Sequence, residues 1–201
     1  MLVPGVDPAQ WARAELLDGG GLGLRFAVGV HPRHDGELDA LETWIERLGA
    51  VAIGELGWQQ GVPHRDTFMD AQIEIARRRR LPIVVHVVGA HGHALERLRR
   101  HGELRGVVHA YSGSADLVRE YLAIGLHVSI GPSVLVNDAR KVHAACVAVP
   151  AERLLIETDA PDQIAEPAGL REVAVRVADL RGATFDELAD LSSQNARDLF
   201  G

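Results

Sequence analysis

A single cysteine, Cys146, stands in 201 residues, so no intramolecular disulfide can form and nothing calls for an oxidising compartment. No apolar run approaches the roughly 20 residues that span a bilayer. The N-terminus also lacks the basic-then-apolar order of a secretory signal, so the expectation is a cytoplasmic chain with no membrane partner. Positive charge is short as well: 21 Lys and Arg face 28 Asp and Glu, a formal net charge of -7. That balance argues against broad electrostatic coating of nucleic acid, yet a phosphodiester can still be held by metal ions and a few local cations. No low-complexity segment, long charge run or Pro/Ser linker divides the chain, and no glycine-rich dinucleotide fingerprint follows its first apolar run. What is present is a globular composition, 47% hydrophobic and 24% charged, in a length that reads as one domain over residues 1–201. Ten histidines are more than a core alone suggests.

Short β-rich apolar runs alternate with longer amphipathic ones. The expected strands are Leu2 to Val6, Phe26 to Val30, Val51 to Gly54, Ile83 to Val85, Val107 to Val108, His127 to Ile130 and Leu154 to Glu157. Between them, Leu38, Leu41, Ile45 and Leu48 follow a helical stripe, as do Leu170, Val173, Val177 and Leu180. Ser114, ahead of Leu117, Val118, Tyr121 and Leu122, reads as a helix N-cap. This alternation predicts an α/β fold with a parallel sheet covered by helices. It leaves an open doubly wound sheet and a closed (β/α) barrel both possible.

The polar residues separate the two. Five strand runs end in a group able to bind a metal: His31, Glu55, His86, His109 and Asp159. A lone histidine or carboxylate at a strand end is ordinarily structural, capping a helix or completing a hydrogen bond. Five of them point instead to the rim of a parallel barrel, where every strand delivers its last residues to one mouth. Imidazole and carboxylate form the ligand set for one or two divalent ions, Zn²⁺, Mn²⁺ or Mg²⁺, and hydrolysis by a metal-activated water is the matching chemistry. Other features read as structural. The run Arg77 to Arg80 ends a helix and complements its dipole, Trp11 and Trp44 pack helices, and His91 and His93 fall on a loop after the His86 strand. Trp58 is placed at the rim, free to stack on a base.

The blocks GVHPRHD (29–35), AIGELG (52–57), PIVVH (82–86), VVHAYSG (107–113) and LLIETDAP (154–161), in this order, closely resemble the TatD-related metal-dependent deoxyribonucleases of the amidohydrolase superfamily. The resemblance extends to MLVPGVDP at the start and to AEPAGL and SSQNARDLFG near the end. It implies a TIM-type barrel that hydrolyses DNA phosphodiesters, commonly as a 3′-5′ exonuclease. Residue by residue, it implies Glu55 as a ligand bridging two ions, His86 and His109 as ligands of one, and Asp159 as ligand of the other and general base. His31 matches the histidine near the substrate phosphate. Arg33 stands where a second histidine is usual, His34 follows it, and Ser112 with Gly113 forms a turn able to meet a phosphate oxygen.

Three departures accompany the match. The strand carrying a His-x-His pair that usually opens the family is missing, Trp58 follows GELG where an aspartate is common, and Val87, Val88 and Gly89 replace the polar residues usual after His86. The expected architecture is therefore an incomplete TIM-type barrel of about seven parallel strands without its first strand and helix. Its two open edges call for an upstream segment beyond an assigned start, a rearranged N-terminus, or a homo-oligomer. Two other functions fit the same ligands: an amidohydrolase acting on a small amide or ester, and a catalytically impaired barrel serving as a binding partner.

Overall fold

The computed structural model describes residues 1–17 and 23–201, which divide into two compact units: residues 1–106 with Phe200, and residues 107–199 with Gly201. The first unit runs β1 (Leu2–Pro4), α1 (Pro8–Glu15), β2 (Arg25–Val28), α2 (Leu38–Leu48), β3 (Ala52–Gln59), α3 (Asp66–Arg79), β4 (Ile83–Val88) and α4 (His91–Arg99). Its strands follow in sequence order, and β1, β2, β3 and β4 pair parallel with their neighbours. Such strands are covered on both faces, and β3 is buried along nearly its whole length.

All seven expected strands are present, and β3 and β4 run furthest beyond their expected ends. The sequence pattern ends the third strand at Gly54, because glutamate and glycine are poor strand formers; the strand in fact continues to Gln59, which sets Glu55 in its interior. Gly57 shows why a glycine recurs there. It sits opposite His86 in the β3–β4 register with φ 147°, and a Cβ at that position would lie 2.0 Å from the His86 carbonyl oxygen. Gly29, just past β2, is also constrained by space, since its Cβ would lie 2.5 Å from the Gly54 backbone. β4 likewise runs on to Val88, taking His86 into its interior.

Two buried side chains fix the end of β2. The Trp11 indole N–H donates to the Gly29 carbonyl at 3.2 Å. Gln72, fully buried in α3, accepts from the Val30 N–H at 2.8 Å and donates to the Val30 carbonyl at 3.1 Å. At the end of α3, Arg78 and Arg79 pair with Glu42, and Arg79 also with Glu46, of α2. The last-turn position of Arg77, Arg78 and Arg79 agrees with the dipole reading of the arginine run, and the pairs to α2 give two of them a further structural role.

The second unit contains β5 (Gly106–His109), α5 (Ala115–Ala123), β6 (Leu126–Ile130), α6 (Arg140–Ala148), β7 (Leu154–Ile156), α7 (Leu170–Arg181) and α8 (Phe185–Phe200), with β5, β6 and β7 in sequence order. Ser114 is the N-cap residue of α5, although its side chain makes no capping bond. Thr184 opens α8 with a full capping box to Glu187. Asn195 of α8 donates at 2.8 Å to both the Ala151 and Leu154 carbonyls, tying the helix to the start of β7. Cys146 is buried, and burial pushes its thiol up to about 11. The native protein is therefore expected to leave its thiol unreacted with a disulfide reagent near pH 8 and to release one equivalent on unfolding. Fast stoichiometric reaction of the folded chain would contradict the burial.

Candidate metal centre

The segment after β1 anchors two of the expected residues. The Val6 carbonyl accepts the His31 N–H at 3.0 Å, and the Gly5 carbonyl accepts the Glu55 N–H at 2.8 Å. His31, Glu55 and His86 come together in the first unit, each offering a ligand atom within 4.8 Å of the others. His86 Nδ1 lies 3.6 Å from Glu55 Oε2, too far for a hydrogen bond but within reach of a shared cation. Its Nε2 lies 3.3 Å from Gln59 Oε1, and the His31 ring meets the His86 ring edge-on at 4.3 Å.

Contacts at Nδ1 set different tautomers in two of the histidines. His31 Nδ1 accepts the Arg33 N–H at 3.2 Å, so its neutral ring carries the proton on Nε2 and presents a donor. In the second unit, His109 Nδ1 faces Glu157 Oε1 at 3.2 Å, and the same oxygen accepts the Ala110 N–H at 2.9 Å. An Nδ1–H held by a carboxylate makes Nε2 the ligand atom and raises its basicity. In the neutral rings His31 thus carries its hydrogen on Nε2 and His109 its lone pair on Nε2.

Asp159 follows β7 with φ 50°. Its Oδ2 accepts from the Gln163 amide at 2.7 Å, and a carboxylate oxygen lies within 4.8 Å of a His109 ring nitrogen. Each unit therefore juxtaposes a carboxylate with an imidazole: Glu55 with His86, and His109 with Asp159. This donor set suits a divalent ion. Of the other expected residues, in the first unit Arg33 is exposed and His34 Nδ1 is paired with Asp7 Oδ2 at 3.0 Å; in the second, Ser112 is half-buried in the turn after β5.

Two sequence expectations are corrected. Trp58 is buried, 1% exposed, with its indole N–H on Asp66 Oδ1 at 2.8 Å, so it offers no stacking face. His91 and His93 lie in α4, not on a loop, because Gly92 is accommodated in the first helical turn. Asp7, Gln59 and Glu157 escaped sequence reasoning. Asp7 before Pro8 carries an N-cap signature, and it does cap α1, but nothing in the pattern pairs it with His34. Glu157 lies within LLIETDAP and its position after β7 is its only signal. Glu157→Gln is expected to lower metal affinity or turnover about 10–100-fold, the usual effect of losing such a partner, while the thermal midpoint stays nearly unchanged. Unaltered metal affinity and activity would contradict this role.

A parallel α/β fold with paired carboxylates and imidazoles suits a metal-dependent hydrolase, and the comparisons establish that class. A family model described as TatD related DNase matches residues 1–201, and the chain belongs to that family. It is 32% identical to the uncharacterized metal-dependent hydrolase YabD of Bacillus subtilis, over 87% of this chain and 76% of that one. It is 31% identical to a protein of Pantoea vagans named 3'-5' ssDNA/RNA exonuclease TatD, over 100% of this chain and 87% of the relative. The crystal structure of the TatD homologue YjjV from Escherichia coli matches with a TM-score of 0.87 at 27% identity, covering 99% of this chain and 85% of that one. A TatD-family hydrolase of Entamoeba histolytica shares the fold with a TM-score of 0.85, covering 99% of this chain and 83% of that one at 17% identity. The fold class is accordingly the TIM-type (β/α) barrel of these proteins, represented among the described residues by seven strands.

Proposed function

We propose that this metal-dependent hydrolase cleaves DNA phosphodiester bonds as a 3′-5′ exonuclease, with residues 1–201 acting as one functional domain in the cytoplasm. The observation that carries the reading is the contrast between His31, whose neutral form presents an Nε2–H donor, and the nearby Glu55–His86 pair, suited to a cation. A phosphate oxygen needs such a donor beside the ion that draws it in.

In this reading Glu55, His86, His109 and Asp159 are the metal ligands. One or two bound Mg²⁺, Mn²⁺ or Zn²⁺ ions would supply Lewis acidity and an acidified water. His31 donates to a non-bridging phosphate oxygen, Arg33 and His34 place positive or hydrogen-bonding groups along the strand backbone, and Ser112 meets a further oxygen. Asp159 accepts the proton from the attacking water, and Gln163, bonded to its Oδ2, orients that carboxylate.

The test is hydrolysis of a 5′-labelled oligonucleotide after chelation, with each ion added back separately. The expected result is a ladder shortening by single nucleotides from the 3′ end, abolished by chelator and restored by at least one ion. No cleavage with any of the three ions, accompanied by turnover of an ester or amide panel, would contradict the nuclease reading.

A further inference from the structure

We infer that His64, Asp66 and His93 form a binding site for a divalent ion of the Zn²⁺ class, sharing no residue with the Glu55–His86 pair. One ligand atom from each lies within 4.8 Å of the others. Donors about 2.0–2.2 Å from a tetrahedral zinc stand closer together than that limit, so small side-chain rotations complete the site. The arrangement is already partly assembled. His93 Nε2 lies 2.8 Å from Asp66 Oδ1, and the His64 and His93 rings stack at 4.1 Å with planes 27° apart, bringing two imidazoles to one carboxylate.

The supporting contacts resemble those of a prepared ligand. The buried Trp58 indole donates to Asp66 Oδ1 at 2.8 Å, which orients the carboxylate as the partners of metal-binding groups do. Burial raises the Asp66 carboxyl's proton affinity, but hydrogen bonds from His93 and Trp58 outweigh it and hold the group below its usual range. It is therefore anionic at neutral pH. Arg97 Nε, 3.9 Å from Asp66 Oδ2, is the nearby opposing cation, and its guanidinium is engaged by Asp70. The backbone settings are firm: Asp66 is the first residue of α3, and His93 lies in the first turn of α4. His64 is exposed, giving an ion entry from solvent.

Two imidazole nitrogens and one carboxylate oxygen favour Zn²⁺, Co²⁺ or Ni²⁺ over Mg²⁺ or Ca²⁺, which prefer all-oxygen shells. Three protein ligands leave a fourth tetrahedral position for water or an incoming anion.

The test uses Zn²⁺ and Co²⁺ with the full chain and three variants: His64→Ala, the double variant His64→Ala/His93→Ala, and Glu55→Gln/His86→Ala. Equilibrium dialysis is expected to show one fewer zinc equivalent in the double variant than in the parent, with weakened binding in His64→Ala, whose exposed position leaves the fold intact. Co²⁺ should give visible absorption in Glu55→Gln/His86→Ala that disappears when His64 and His93 are also replaced. Equal zinc stoichiometry in the parent and a folded double variant, or an unchanged affinity in His64→Ala, would overturn the site. Because Glu55→Gln/His86→Ala retains this equivalent, failure of the hydrolytic centre and failure of this one give different results.

Discussion

Replacing Glu55 with glutamine is expected to reduce metal-dependent phosphodiester turnover by about a hundredfold or more while leaving the protein folded. Losing a residue that merely supports a ligand costs about 10–100-fold, so loss of the carboxylate proposed as a ligand should cost at least the upper part of that range. The fold should tolerate the change because glutamine keeps the shape of a side chain whose residue is 7% exposed and removes a buried charge. The Glu55 N–H bond to Gly5 belongs to the backbone and survives. Circular dichroism, metal content and turnover distinguish the outcomes: a folded variant with unchanged ion binding and rate would remove Glu55 from the centre.

Gly57→Ala is expected to act through the backbone and to be the most destabilising single-atom addition near the centre. The new Cβ would meet the His86 carbonyl oxygen at 2.0 Å, its carbon at 2.9 Å and its nitrogen at 3.0 Å. These are strand atoms that cannot rotate away, and φ 147° is itself unfavourable to a side chain. A cost of about 3 kcal/mol or more follows from combined overpacking and backbone strain, which in a chain of this size lowers the thermal midpoint by roughly 6–12 °C. Gly49→Ala supplies the control. There φ is 56° with no atom within 4 Å of the added Cβ, so only the left-handed backbone penalty of about 1–2 kcal/mol applies. Equal, small shifts in both variants would show that β3 and β4 can separate without penalty.

The sequence made the strand order and helix faces legible because they depend on local periodicity. Leu41, Ile45 and Leu48 all line the buried face of α2, and β6 and β7 pair in the expected parallel sense. The true extent of β3 was hidden because burial and close glycine contact override the weak strand propensity of Glu55 and Gly57. The metal-type residues were legible as chemical types following apolar runs, but their roles were not. The Arg33 N–H on His31 Nδ1 and the Glu157 carboxylate on His109 Nδ1 come from turns and from a residue 48 positions away. Periodicity carries no record of either. Trp58 was misplaced for a related reason: its partner Asp66 opens the following helix, and that hydrogen bond allows a polar indole edge to be buried.

The most direct measurement of the hydrolytic centre is anomalous diffraction from crystals grown with Mn²⁺ or Zn²⁺. The expected result is a metal peak within about 2.0–2.3 Å of both a Glu55 carboxylate oxygen and a His86 ring nitrogen. A structure with ordered, metal-free Glu55 and His86 at ion concentrations that support turnover would contradict the centre.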